Sequence, residues 1–520
     1  MSNAVTSVEE HGTQDLTDQA EVGRLLIRGG DERFEVRWDV AAKVTPAGSV
    51  VFFAQYVQAG GLLDRLCLGS PLAYSSPNAP WERDVFGTAL LSVLNGQTRY
   101  AHINALRGDQ VGAEVLGLDR IVSEDSVRRA FKRGTPEAWD AWLSVQERAV
   151  YEPLLAEPYV LDIDNTVKPL YGHQEGAELG YNPQKPGRPS HNYHTYFIGS
   201  LRVVLSVEVL PGKQHGGKHS RPGLWRLIDG LPAHCRPRLI RGDVSYGSDE
   251  GMTEAETRRQ PYLFKLRQTT KVQKQIRELE RDGDAWSDAG DGWQGAEREL
   301  KLMGWLRGRR CVFLRRPAHK ASSRKGLPPS IQKQFEFVER VDSGPDYEYV
   351  VLVTNESLPI VGLAQLYRDR ADCENVFDEI KNQWGWAGFV TRDLKRCRIL
   401  ARLIALFYNW WNVFTRLAQP DRHLEAVTSR PLLLQAVGRL VTTGRRKVIR
   451  LTSTHALADR IRLTLNRIGR FLNRLAQTAE QLSVEALWAI ILSAAFVKWL
   501  RGKVLRPVVH GAQVLLPLPV

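Results

Sequence analysis

Residues 159–164 read YVLDID and residues 238–243 read RLIRGD. Each is a short apolar run that closes on a carboxylate. Each predicts a β-strand with an aspartate, Asp164 or Asp243, at its end. Around them lie further β-rich runs, HTYFIGSL (194–201), VVLSVEVL (203–210) and PYLFKLR (261–267), with LWRLIDGLP (224–232) as a short helix. This alternation predicts a mixed α/β domain over 156–270. In such a sheet, neighbouring strand ends bring together side chains that are distant in sequence. Asp164 and Asp243 are therefore candidates for one site.

Working outward, residues 1–20 read as a disordered lead and 21–155 as a mainly helical region. Asp109–Gly117 and the stretch SEDSVRRAFKR (123–133), with Ser123 as its cap, resemble a helix-turn-helix. Arg128, Arg129, Lys132 and Arg133 would then meet phosphates; the alternative is a solvated basic helix. Residues 271–357 read as a β-rich insertion, with strands at ERELKLMGWLRG, RRCVFLRR, FEFVERV and YEYVVLVTN. Helices resume over 358–420 and continue through a C-terminal region, 421–520.

The 520 residues include 71 Lys and Arg against 58 Asp and Glu, a net charge of +13. That sign favours an anionic partner such as nucleic acid. The five cysteines are scattered, with no C-x-x-C pair. They argue against a disulfide framework or a cysteine zinc site and fit a reducing cytoplasm. The N-terminus lacks an apolar signal core. The best membrane candidate, Ile399–Ala418, is broken by Arg402, Asn409 and Asn412. A soluble cytoplasmic protein, with no membrane partner, is expected.

The stretch LAQLYRDRADCENVFDEIKNQWGW (363–386) predicts one helix. Tyr367, Arg370, Glu374 and Lys381 fall on one face at 3.6 residues per turn. An acid for a metal, flanked by cations for phosphates, suits a nuclease; an intrahelical Arg–Glu pair on a solvated face is the plainer reading. Three converging carboxylates are what two hard divalent cations need for phosphoryl transfer. Residues 301–325 carry nine Lys or Arg, Arg315 and Arg316 among them, and no acid, with Trp293 and Trp305 in or beside the run. They suit a DNA groove, or the insertion's own small core. Arg460, Arg467 and Arg474 repeat every seven residues beside an apolar stripe, Leu457, Ile461, Leu465, Ile468 and Leu472. His215 and His219 have metal spacing, but Gly216 and Gly217 between them favour a loop.

The spacing Tyr367-x2-Arg370-x3-Glu374-x6-Lys381 resembles the Y-x2-R-x3-E-x6-K signature of bacterial insertion-sequence transposases of the insertion sequence 4 superfamily. The segment LDIDNTVKPLYGHQEGAELGYNPQKPGRPSH (161–191) is similar to the first-aspartate region of the insertion sequence 1380 branch, and RGDVSYG (241–247) to its second-aspartate motif. The resemblance spans roughly 80–420. It implies an RNase H-like catalytic core with a β-rich insertion before the third acid. It implies catalytic, metal-binding Asp164, Asp243 and Glu374 holding two Mg²⁺ or Mn²⁺ ions, with Tyr367, Arg370 and Lys381 at the DNA. Asp162, two residues from Asp164, points to the same strand face and either supports the ligand or replaces it. The implied partners are double-stranded DNA, as terminal inverted repeats and target, and a second copy in the active complex. Beside this metal-dependent nuclease and strand transferase, nucleoid-associated in the cytoplasm, stands one alternative: a catalytically silent DNA-binding descendant.

Overall fold

The computed structural model describes residues 25–29, 32–36, 41–183, 185–214, 216–318, 339–340, 347–452, 457–478 and 481–508. Side chains of 25–40, 284, 339–340 and 371–374 are outside this description. The lead expected over 1–20, most of FEFVERV and the distal end of the basic run, Lys320 to Lys325, also lie outside it. The chain divides into two units, Met1–Lys43 and Val44–Val520. In the first, β1 (Leu25–Gly29) and β2 (Glu32–Val36) pair antiparallel.

The second unit begins with β3 (Val44–Thr45) and a run of helices: α1 (Val50–Ala59), α2 (Leu62–Cys67), α3 (Glu82–Leu94), α4 (Ile103–Leu106), α5 (Gln110–Val115), α6 (Glu124–Ala130) and α7 (Pro136–Tyr151). Caps set several starts. The Asp109 carboxylate accepts from the Gly112 amide at 2.9 Å, and the Ser123 hydroxyl accepts from the Ser126 amide at 3.2 Å.

The centre is one ten-stranded mixed sheet, ordered β6-β5-β4-β7-β8-β13-β11-β10-β9, with β12 also paired to β13. Its first five strands are β4 (Val160–Pro169), β5 (Ser190–Ile198), β6 (Val203–Pro211), β7 (Leu239–Gly242) and β8 (Tyr262–Lys265). β4, β5 and β6 pair antiparallel; β7 runs parallel to β4, and β8 parallel to β7. Parallel neighbours need crossovers. α8 (Gly217–Asp229) lies between β6 and β7, and α9 (Asp249–Thr257) between β7 and β8.

After α10 (Thr270–Arg281) come β9 (Ser287–Gly290), β10 (Trp293–Leu300), β11 (Arg309–Pro317), β12 (Glu339–Arg340) and β13 (Tyr347–Thr354). These strands prolong the same sheet, because β13 pairs antiparallel with β8. Four helices follow: α11 (Ile360–Arg368), α12 (Ala371–Gln383), α13 (Leu394–Ala418) and α14 (Ala426–Leu433). Next comes a hairpin, β14 (Gly438–Thr443) and β15 (Arg446–Leu451), joined to β3 in a three-stranded sheet. α15 (Ala458–Thr478) and α16 (Val484–Ala495) complete the described chain.

Three sequence expectations are corrected. Residues 421–520 are not all helical: VTTGRRKVIRL alternates with period two and forms a hairpin around Gly444, whose φ of +59° suits glycine. The 363–386 stretch is not one helix. It breaks between Arg368 and Ala371, so Tyr367 and Glu374 stand on different helices. Asp164 does not end its strand, because β5 pairs with β4 from Asp162↔Phe197 to Pro169↔Ser190.

The interrupted apolar stretch proves to be α13, buried along nearly its whole length. The three polar residues that interrupt it, Arg402, Asn409 and Asn412, are hydrogen-bonded inside the protein, so their burial is tolerated. Arg402 meets Glu147 at 2.6 and 2.8 Å. The Asn409 carboxamide accepts from the Val204 amide at 2.9 Å and donates to its carbonyl at 2.7 Å. Arg398 donates to the Val209 carbonyl at 2.9 Å. These bonds occupy the outer edge of β6. No described helix is long and apolar enough to cross a membrane.

Candidate active site on the central strands

β4 and β7 are paired only as far as Ile163↔Gly242. The next residues along the two parallel strands are Asp164 and Asp243. β7 ends there while β4 continues, so the two carboxylates stand where the sheet loses a strand. Asp164 is partly open, with its side chain 18% exposed. Burial pushes its carboxyl up to about 6; the Arg370 guanidinium pulls it down, and the neighbouring Asp243 carboxylate raises it. Arg370 donates to Asp164 Oδ2 at 3.0 Å.

Asp162 has a different place. Arg241 grips it through two hydrogen bonds of 2.6 and 2.9 Å, and the Gly199 amide donates to it at 3.2 Å. Both side chains are buried, Asp162 2% and Arg241 4% exposed. Arg241 also donates to the Leu366 carbonyl. Asp162 thus ties β4 to β7 and to α11, and its oxygens are taken by protein donors.

Most residues of RGDVSYG have a local reason. Any side chain at Gly242 would meet the Tyr246 ring at 2.8 Å and Ile163 at 3.0 Å. Asp243 turns the chain, its Oδ1 accepting from the Ser245 amide at 2.9 Å and its carbonyl from the Tyr246 amide at 3.2 Å. Tyr246 is buried beneath this turn against Phe264. Gly247 passes Lys265 so closely that a Cβ would lie 2.9 Å from its carbonyl oxygen. A Cβ at Gly217, where α8 begins, would lie 2.4 Å from the Ser245 oxygen. The Asp243 turn is therefore packed from both sides by backbone.

The cations of the third motif come from the helices across β4. Arg370 lies at the break between α11 and α12, and Lys381 donates to the Val167 carbonyl of β4 at 3.4 Å. Tyr367 is buried with Trp293 and Leu363 in a small apolar cluster on the sheet. Glu374 is on α12; its side chain is outside the described residues. Among the described residues no three His, Cys, Asp or Glu side chains converge to hold a metal.

The remaining expected contacts stand elsewhere. Arg315 pairs with Glu280 at 2.6 Å and stacks over Trp286, its centre 4.1 Å from the ring. Arg316 pairs with Glu348 at 2.9 Å and covers Trp293 at 4.8 Å. These tryptophans and arginines serve one another on the sheet. Arg128 of α6 pairs with Asp125 at 3.3 Å and lies over Tyr100, while Arg129 is exposed.

Two residues were not singled out from sequence. Glu379 of α12 is fully buried and accepts from the Ala426 amide at 2.9 Å and Trp384 Nε1 at 3.2 Å; His423 Nε2 lies 2.7 Å away. It fixes the helix that carries Glu374. Lys168 is buried on β4 beside Tyr193 and the Gly388 carbonyl, and burial lowers its ammonium to about 8. Neither residue has a sequence signal beyond lying within a quoted stretch.

Comparison with known proteins gives three findings. Residues 81–473 match the family described as Transposase DDE domain group 1. No curated protein matches the chain in sequence. Among solved structures the chain is similar to one described as "Cryo-EM structure of piggyBac transposase synaptic complex with hairpin DNA (SNHP)". The identity is 10% and the TM-score 0.38, over 86% of this chain and 86% of that one.

Proposed function

The chain belongs to the Transposase DDE domain group 1 family, and from that premise we propose that it cuts DNA at the ends of a mobile element and joins them to target DNA. One observation carries the assignment to this site: Asp164 and Asp243 stand side by side on parallel neighbours, and the carboxyl of Asp164 is raised. Glu374, on the helix fixed by Glu379, is the proposed third acid. The strand set β6-β5-β4-β7-β8, with the acids at its centre, supports reading this half of the sheet as an RNase H-like core.

The donor set fits Mg²⁺ or Mn²⁺. It consists of hard carboxylate oxygens, and the Asp243 carboxylate raises the proton affinity of Asp164, a crowding of negative charge that cations relieve. Asp164, Asp243 and Glu374 would hold two such ions, which supply charge stabilisation to the attacking and leaving oxygens of an in-line displacement. A water oxygen attacks phosphorus and loses a proton to solvent, the bond to the 3′-oxygen breaks, and that oxygen takes up a proton from solvent. The freed 3′-OH then attacks a target phosphodiester in the same way. Arg370 holds Asp164 in place and brings positive charge to the phosphate; Lys381 adds a second cation from the same side. The proposed substrate is double-stranded DNA, and two copies of the chain would act on a pair of ends.

The test is cleavage of end-labelled DNA carrying the sequences that flank the gene. Cutting with Mg²⁺, none with EDTA, and none by Asp164→Asn, Asp243→Asn or Glu374→Gln is expected. Full cutting by any of these variants would overturn the site. Tight metal-independent binding without cutting by the parent protein would point instead to a silent DNA-binding descendant.

A further inference from the structure

The β14–β15 hairpin has no role in the site described above. Its register pairs Arg439 with Arg450, Val441 with Val448, and Thr443 with Arg446. Alternation puts these six on one face and Leu440, Ile449, Leu451 and Lys447 on the other. The second face turns toward the protein at Leu440, which is buried, and Leu451 packs near Gly48; Lys447, itself exposed, pairs with Glu114 at 2.7 Å. The first face looks outward, with Arg439, Arg446 and Arg450 all exposed. Arg445 at the turn is exposed too, and the tip glycine, Gly444, has no atom within reach of an added Cβ.

Arg439 and Arg450 stand directly opposite each other. Like charges at opposed positions destabilise a two-stranded ribbon. The sequence supplies no relief, since residues 436–451 contain no Asp or Glu. Among the described residues no carboxylate pairs with Arg439, Arg445, Arg446 or Arg450. A ribbon with an apolar inner face, a neutralised inner lysine and an uncompensated outer row of arginines is built for an external polyanion. Arg446 and Arg450 are four residues apart, about 13 Å at ~3.3 Å per residue. That length spans several phosphates of one duplex strand, spaced about 3.4 Å along the axis. Between the arginines lie only valines and a threonine, so the face offers charge rather than a pattern of base-reading groups.

We propose that the outward face of this hairpin is a wing that grips the sugar–phosphate backbone of duplex DNA without regard to sequence. The inference rests on the reading of the chain as a DNA-processing protein and adds a second point of DNA contact. The probe is a fluorescein-labelled mixed-sequence 30-bp duplex, read by anisotropy with the full-length protein in EDTA across a salt series. Each neutralised phosphate contributes about 0.9 to the slope of log affinity against log salt. The triple variant R439A/R446A/R450A should lose about 2.7 of that slope. The triple lysine variant should recover most of it, and K447A on the inner face should keep it. The alanine variant should also melt no lower than the parent, since it removes a like-charge pair. A parent-like salt slope in the alanine variant would overturn the wing while leaving DNA binding intact. A parent protein that ignores duplex DNA altogether would instead overturn the functional reading. Loss in the variant of binding to phosphatidylserine vesicles, with DNA binding unchanged, would also overturn the wing.

Discussion

Two aspartates on one face of β4 should respond oppositely to the same isosteric change. Asp162 is a buried partner of Arg241, gripped at 2.6 and 2.9 Å. Asp162→Asn leaves the guanidinium without its counter-charge, and breaking a buried pair costs about 3–5 kcal/mol. Asp164 is already strained by burial and by Asp243, its carboxyl held at about 6. A raised carboxyl favours the fold at low pH, and that contribution is lost as pH climbs from the ordinary carboxylate range through 6. At pH 7.5 the ionised form therefore costs about 1–3 kcal/mol, at ~1.4 kcal/mol per pH unit and allowing for partial exposure. Asp164→Asn removes that cost. Unfolding entropy near ~2.1 cal/mol/K per residue makes a chain of 520 residues shift by about 1 °C per kcal/mol. Scanning calorimetry in EDTA should show Asp162→Asn melting about 3–5 °C below the parent and Asp164→Asn about 1–3 °C above it. Mg²⁺ at about 100 times its Kd should then raise the parent by roughly 2–3 °C and leave the Asp164 variant unmoved. A fall in both variants, or in neither, would refute this division of roles.

Three further outcomes follow from the same geometry. Lys168 is protonated in the unfolded chain up to its ordinary pKa but only up to about 8 when folded. Stability should therefore rise with pH between about 8 and 10, and the parent's melting midpoint should gain about 3 °C relative to that of Lys168→Met across that window; a flat difference would exclude the buried ammonium. Glu379→Ala strands the Ala426 amide, the Trp384 indole and the His423 ring. It should lower the melting midpoint by about 3–9 °C, at about 1–3 kcal/mol for each of the three lost partners, whereas Glu379→Gln should recover part of this. Gly242→Ala must displace the Tyr246 ring, which lies 2.8 Å from the added Cβ under the Asp243 turn. DNA cleavage should fall by about 100-fold, with the melting midpoint lowered by only about 1–3 °C on scanning calorimetry.

The carboxylate pair was legible because a short apolar run closing on an acid leaves a local pattern, and two such runs met in one sheet, although β4 continues past Asp164. The division of labour between Asp162 and Asp164 was not, because it depends on Arg241, a partner 79 residues away. The 363–386 stretch kept helical spacing across Asp369 and Arg370, whose backbone angles remain near the helical region, so the break left no trace in the periodicity. The hairpin escaped notice because arginines are interspersed with the β-branched residues of its outward face and break the apolar pattern that marks strands. Trp293 and Arg316 show the reverse limit: cations and aromatics that suggest a nucleic-acid groove also satisfy one another across neighbouring strands.

Asn409 does for β6 what an adjoining strand would do, offering one acceptor and one donor to the same residue. A ribbon from another molecule finds those positions already filled. That edge of the sheet therefore cannot be lengthened at Val204 by backbone pairing, and a contact made there has to use side chains.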